Sequence, residues 1–201
     1  FLSGPTFALE VARGMPAAIT VGSYDREVGQ EVQKSLGSSA FRVYTSTDVL
    51  GVQMGGVIKN VIAIAAGVSD GLELGHNARA ALITRGLAEM TRLSVKMGAD
   101  PITLSGLPGL GDLVLTCTGQ LSRNRKVGYE LGRGRQLAEV VGGARTIAEG
   151  IRNTRTVRLL AERFGVEMPI VEQMYHVLYE GKGPLDAVRD LMVRTQKAEA
   201  D

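Results

Sequence analysis

The chain has 201 residues, 44 % of them hydrophobic and 4 % aromatic, with a net charge of +2 from basic and acidic residues mixed along its length. Such a composition gives a globular body with a core of Ala, Val, Ile, Leu and Met, and it speaks against a nucleic-acid partner, whose binders concentrate basic charge on one face. The single Cys117 excludes an intrachain disulfide and is compatible with a reducing compartment, two histidines make no convincing metal site, and the longest apolar stretch, Val49 to Val68, is interrupted by Gln53, Lys59, Asn60 and glycines, so a buried core helix is expected there and not a membrane span.

The opening FLSGPTFALEVARG begins abruptly, as the middle of a protein would, and the chain is expected to be a fragment. Thr6 to Gly14 reads as a short helix and Ala17 to Val21 as a strand. Asp25 to Leu36 reads as a helix, with Val28, Val32 and Leu36 one turn apart and Gly37 as the stop. Phe41 to Tyr44 reads as a second strand, which makes the first 46 residues a strand–helix–strand unit. From Thr47 the pattern is helical. One helix is expected from Thr47 to Gly67 with Thr47 or Asp48 as N-cap, and another from Asn77, as N-cap, to Met97, closed by Gly98. The glycine-rich GLPGLGD then reads as a loop, and helices follow at Ile147 to Phe164, Pro169 to Glu180 and Pro184 to Arg194. The division expected is 1–46 as the tail of an α/β domain and 47–201 as an all-helical domain.

Four motifs carry possible chemistry. Lys59, in GGVIKNVIAIAAG, has Gly55, Gly56, Ile62 and Ala63 one turn away, so small residues flank an ammonium that would serve as acid or base, or else snorkel to the surface. In GLPGLGDLVLT the glycines permit close backbone approach, and Asp112 either caps a helix or orients a charged partner such as Lys59. Ser122, Arg123, Asn124 and Arg125 supply hydroxyl, guanidinium and amide donors that suit a phosphate, within a locally basic stretch that also holds Lys126, Arg133 and Arg135; a plain helix cap with solvated charges is the alternative. SGPTFA, Ser3 to Ala8, is a turn in which Ser3 or Thr6 caps the next helix. His76 reads as a surface or capping residue, His176 as half-buried structure and Cys117 as a core thiol.

In order and spacing these segments resemble one family. SGPTFALEVARGMPAAITV, then FRVYTSTDVLGVQMGGVIKNVIAIAAGVSDGLELGHNARAALITRGLAEM, then GLPGLGDLVLTCTGQLSRNRKVG, then AEG are similar to the bacterial type of NAD(P)-dependent glycerol-3-phosphate dehydrogenase, up to about Pro169. The resemblance implies a mainly α fold, in which a remnant of an α/β Rossmann-type domain precedes an all-helical domain of the 6-phosphogluconate-dehydrogenase-like kind. It implies an oxidoreductase interconverting dihydroxyacetone phosphate and glycerol 3-phosphate with NAD or NADP, which would supply glycerol phosphate for phospholipid synthesis. Lys59 would be the catalytic proton donor and acceptor. Gly4, Thr6, Asp112, Ser122, Arg123 and Asn124 would join it around the phosphorylated substrate, and Ala8, Arg123, Ile147 and Glu149 would contact the cofactor. A cytoplasmic homo-oligomer, a dimer, is the implied setting.

The sequence departs from that family where Asp often stands at His76 and Ser at Gly119. It also has no G-x-G-x-x-G dinucleotide fingerprint, so roughly 130 further residues upstream are expected by family analogy, and the chain alone is expected to bind cofactor poorly and not to turn over. Two other readings stay open: a related NAD(P)-dependent hydroxyacid or 6-phosphogluconate-type dehydrogenase, and a non-catalytic helical assembly module with a structural Lys59.

Overall fold

The computed structural model describes residues 1–142, 148–195 and 198. Strand β1 (Leu2–Ser3) and helix α1 (Ala8–Ala12) lead into β2 (Ala17–Gly22), α2 (Arg26–Leu36) and β3 (Phe41–Ser46). β1 pairs antiparallel with β2, and β2 parallel with β3, with Ile19 opposite Val43. The sheet has a small core of Ile19, Val21 and Val43, against which Val32 of α2 packs. Of the other two residues of the apolar stripe expected on α2, Val28 is 50 % and Leu36 43 % exposed. Asp25 caps this helix by accepting from the Glu27 and Val28 backbone N–H groups.

The rest is helical among the described residues: α3 (Val49–Gly71), α4 (Gly75–Lys96), α5 (Pro101–Ser105), a π-helical turn at Leu107–Gly111, α6 (Asp112–Thr118), α7 (Arg123–Gly132), α8 (Leu137–Gly142), α9 (Glu149–Phe164), α10 (Pro169–Tyr179) and α11 (Pro184–Met192). α3 is the axis. Val61, Ile62, Ala63 and Ile64 are consecutive and all fully buried, so they cover every direction around the helix. It touches α4, α5, α6, α7, α9 and α10, and the main core is built on it. By length and hydropathy this helix is apolar enough to cross a membrane. Its apolar surface is instead covered by the protein's own helices, as expected for a core helix.

Several boundaries differ from the sequence reading, for physical reasons. α1 begins at Ala8, not Thr6, with Phe7 at the cap position. α3 continues past Gly67 to Gly71, because Gly67 is a packing contact and not a stop: a Cβ there would lie 2.0 Å from the Arg125 carbonyl oxygen. Of the two cap candidates Asp48 is the one used, accepting from the Gly51 N–H. Asn77 does not cap α4, which starts at Gly75 directly after a turn in which Glu73 takes a φ of 59°. The expected GLPGLGD loop is the π turn running into α6. Helices α5 and α8 are too short for a periodic signal and differ from the sequence reading, while α7 starts at the helix cap that the Ser122 segment offered. Of the helix expected from Ile147, the described part starts at Glu149, and Ile147 lies outside the described residues.

α3 and α7 run in the same direction with their backbones in contact. A Cβ on Gly128 would meet the Ile64 carbonyl oxygen at 1.9 Å, and one on Gly71 would meet the Tyr129 carbonyl oxygen at 2.3 Å. A second link joins α4 to α10. The carboxylate of Glu89, 2 % exposed, accepts from the backbone N–H of Ile170 at 2.7 Å and of Val171 at 3.3 Å, capping α10 from another helix. Burial pushes this carboxyl up from 4.5 to about 7, against the opposing pull of the two N–H groups, Arg92 and Arg85.

Two outcomes follow from these contacts. Gly67→Ala or Gly128→Ala in the full-length protein lowers stability by at least about 2 kcal/mol, although alanine is the better helix former by about 1 kcal/mol, and thermal melting reads it as a drop of several degrees. For Glu89, a raised carboxyl means that the folded state binds a proton before the unfolded state does. Its contribution is therefore most favourable below pH 4.5 and is lost as pH rises towards 7. Melting Glu89→Gln beside the wild type at pH 5.5 and pH 8 should show the wild type losing ground to the variant at the higher pH.

Candidate active site

Three polar residues of α3, Lys59, Asn60 and Asp70, find partners on other elements. Lys59, with a side chain 19 % exposed, donates to Oδ2 of Asp112, which is 4 % exposed. Asp112 is the first residue of α6, so it does not cap that helix from outside; of the two roles open to it, it takes that of holding a charged partner. The π turn before it carries a Gly111 N–H to Gly106 carbonyl bond of 3.1 Å. The extra residue in that turn changes the direction in which the following side chain leaves, as π insertions do. The other carboxylate oxygen of Asp112 accepts from the Thr116 hydroxyl at 3.2 Å, one helical turn on. The nearly buried ion pair thus has its acceptors satisfied, which limits its desolvation cost.

The next residue, Asn60, is buried. Its amide donates to the Gly56 carbonyl at 3.2 Å, and its Oδ1 accepts from Nδ2 of Asn124 at 2.9 Å. Oδ1 of Asn124 accepts in turn from the backbone N–H of Gly150 in the first turn of α9, at 2.9 Å. Asn124 therefore spends its oxygen and one N–H inside the protein, and one amide N–H is left for any ligand. Ser122 caps α7, with Oγ accepting from the Arg125 N–H at 3.2 Å, and so fills the cap role without losing its own O–H donor. Within the basic stretch, Arg125 is held by Asp70, Arg133 by Glu73 and Arg135 by Glu130. Arg123 and Lys126 are exposed and form no ion pair with a described residue.

The space expected beside Lys59 at Gly55 and Gly56 is occupied. A Cβ on Gly55 would lie 2.2 Å from the Pro108 carbonyl oxygen, and one on Gly56 would lie 3.0 Å from Oγ of Ser3. These glycines admit neighbouring backbone and side chain, not a ligand. The same contacts bring the SGPTFA turn to the site. Ser3 rests on α3 one turn before Lys59, and Pro5 lies against Gly111, beside Asp112. Gly4 has a φ of 154°, with its backbone against Ile19, and its carbonyl accepts from the Thr6 hydroxyl at 3.1 Å. Ala8 is exposed at the start of α1, and Glu149 is exposed at the start of α9. The Phe7 ring covers Gly119, where a Cβ would be 2.4 Å away, so the serine seen there in the resembling family would require the ring to move.

The structure thus pairs Lys59 with Asp112 and Asn60 with Asn124 on neighbouring positions of α3, while Ser122 caps α7, Thr6 bonds to Gly4 and Arg123 is exposed at the α7 N-terminus. Asn60 and Thr116 belong to the same network and were not among the expected site residues. The i, i+4 spacing of Asp112 and Thr116 was the available signal for one of them. His76 is exposed and meets Arg79 at 2.8 Å. His176 is half-buried between Glu172 and Glu180. Burial pushes the Cys117 thiol up to about 12, which leaves it inert. No group of metal-binding side chains exists among the described residues. What the arrangement offers is an oriented ammonium, able to move a proton, and a capped helix N-terminus whose Arg123 has no ion-pair partner among the described residues, able to seat an anion.

Known proteins resemble this chain along its length. Residues 48–189 match the family described as NAD-dependent glycerol-3-phosphate dehydrogenase C-terminus. The glycerol-3-phosphate dehydrogenase (NAD(P)+) of Syntrophotalea carbinolica is 60 % identical over 201 residues, which is 100 % of this chain and 60 % of that relative. Its counterpart in Myxococcus xanthus is 58 % identical over 98 % of this chain and 59 % of its own length. The crystal structure of glycerol-3-phosphate dehydrogenase from Coxiella burnetii superposes with a TM-score of 0.94 at 46 % identity, over 96 % of this chain and 59 % of that one. The chain thus spans about 60 % of the length of the curated relatives it matches. With a family match over residues 48–189 and this level of identity along the whole sequence, the chain belongs to the NAD-dependent glycerol-3-phosphate dehydrogenase family.

Proposed function

We propose that this chain is the C-terminal part of an enzyme that interconverts dihydroxyacetone phosphate and sn-glycerol 3-phosphate with NADH or NADPH. The observation that carries the reading is the Lys59–Asp112 pair set one residue from the Asn60–Asn124 link to the α7 N-terminus. It puts a proton donor and an anion seat on neighbouring turns of the same core.

In the reductive direction Lys59 Nζ gives a proton to the substrate's carbonyl oxygen as that oxygen gains negative charge. In the oxidative direction it takes the hydroxyl proton. Asp112 keeps the ammonium pointed, and Thr116 keeps Asp112 pointed. The α7 N-terminal N–H groups, the Ser122 hydroxyl, the remaining Asn124 N–H and Arg123 hold the phosphate, and Gly4 and Thr6 close the substrate side. Fixing the phosphate fixes the carbonyl, which is a gain in orientation.

The residues present fit a nicotinamide cofactor on this margin. Ala8 leaves room at the start of α1, Glu149 is exposed at the start of α9, and Arg123 has no competing partner among the described residues. When bound, the nicotinamide supplies or accepts the hydride. Ile147 is proposed for the same contact. The product would feed phospholipid synthesis, and the setting proposed is a cytoplasmic homodimer.

Full-length protein given dihydroxyacetone phosphate should oxidise NADH or NADPH, and the 201-residue chain alone should not. Absence of activity with either cofactor would overturn the reading. Lys59→Arg keeps a cation beside Asp112 and so keeps the fold, but arginine does not give up its proton. Steady-state assay of that variant should show kcat lower by ~10²–10⁴-fold, with the melting temperature close to that of the wild type.

A further inference from the structure

We infer that Asp70 is a positioning residue for the phosphate seat: the carboxylate near the end of α3 fixes the first turn of α7 through Arg125, and so sets where Arg123 is presented. The inference rests on the proposed dehydrogenase reading and names a residue to which that reading gives no role.

Asp70 is 13 % exposed at its side chain and shared by two arginines. Its Oδ2 accepts from Arg125 Nε at 2.8 Å and Nη2 at 2.6 Å, and its Oδ1 accepts from Arg79 Nη1 of α4 at 3.0 Å. Arg125 is thereby held at three points. Its N–H is on the Ser122 cap, its carbonyl lies against Gly67 and its guanidinium is on Asp70. The opposite side of the same turn is held by Asn124 on Asn60 and Gly150. Arg123 directly precedes these two anchors and, like Lys126, is exposed with no ion-pair partner among the described residues. A turn clamped on both sides aims its free guanidinium in one direction, and this preorganisation is what a phosphate contact needs. Taking away the carboxylate frees the Arg125 side, which is mostly buried and would turn towards solvent to regain hydration.

The test compares full-length wild type, Asp70→Asn, Asp70→Glu and Arg125→Met, each with dihydroxyacetone phosphate and with phosphate-free dihydroxyacetone. For Asp70→Asn the KM for dihydroxyacetone phosphate should rise roughly tenfold, as when one charge-assisted hydrogen bond is weakened, with kcat within about twofold. The kcat/KM for dihydroxyacetone should stay at the wild-type value, and Asp70→Glu should recover most of the loss. Arg125→Met leaves Asp70 paired with Arg79, so it folds even where Asp70→Asn does not, and it should show the same rise. An unchanged KM in Arg125→Met, or an equal fall with both substrates, overturns the inference, because a purely structural role lowers both together. Wild type that fails to turn over dihydroxyacetone phosphate overturns the reading beneath it, which is a distinct result.

Discussion

A helix covered on every side makes the charged and amide groups it carries costly unless they find partners inside the protein, and α3 carries three that do. Lys59 is met by Asp112, Asn60 by Asn124, and Asp70 by Arg125 and Arg79. Left unpaired, any of them would cost several kcal/mol in a core lined by Ile58, Val61, Ile62 and Ile64. The partners come from α4, α6 and α7, so the requirement to satisfy α3 fixes where those helices begin and how they are rotated. The candidate site is a consequence of that requirement, in that its side chains are the ones pairing demanded.

The second constraint is distance. Side chains as short as asparagine reach across from α7 to α3 only because glycines let the two backbones touch, at Gly67 and Gly71 on one helix and Gly128 and Gly132 on the other. Each glycine inside a helix costs about 1 kcal/mol relative to alanine. Close packing along the whole contact offsets this, and the gain is a fixed depth for the α7 N-terminus relative to Asn60. The same logic operates at Gly55 and at Gly109, whose Cβ positions would strike Pro108 and Leu104 backbone atoms. It holds the π turn, and with it Asp112, against α3.

Where the sequence carried periodicity or a cap, the elements were legible. α3 is readable as a core helix from an apolar run broken only by Gln53, Lys59, Asn60 and glycines, and α9 to α11 from Gly165, which takes a φ of 63°, and from Pro169 and Pro184 at first-turn positions. Glycine was the main source of error. Its role is ambiguous in one dimension, since a stop, a loop and a backbone contact all read as the same letter. Gly67 reads as an end and GLPGLGD as a loop for that reason, although both are contacts seen only once a second helix is in place. α2 shows the converse. Its apolar period was readable, but the side chains at Val28 and Leu36 meet solvent in this chain, because period reports a face and not what covers it. The site was legible in its residue types, Lys59, Asp112 and the Ser122 to Asn124 run. The pairing was not, since Asn60 and Thr116 gain meaning only from neighbours 64 and 4 residues away.

Lys59 and Arg123 are held in opposite ways, and each way suits the role proposed for it. A group that must move a proton to one atom has to be aimed, and Lys59 is aimed by being mostly withdrawn from water and tied to a carboxylate that is itself tied to Thr116. Burial raises the cost of misplacing it, which is the same as narrowing its orientations. A group that must meet an incoming dianion has to be unpaired beforehand. A guanidinium already held by a carboxylate, as Arg125 is, would have to exchange one anion for another at little net gain. Arg123 stays solvated on a rigid turn, so it costs little while the site waits, and its hydrogen bonds strengthen as the ligand excludes water. In the proposed reading Arg125 is tied down by Asp70 and Arg123, two residues earlier, is left to bind.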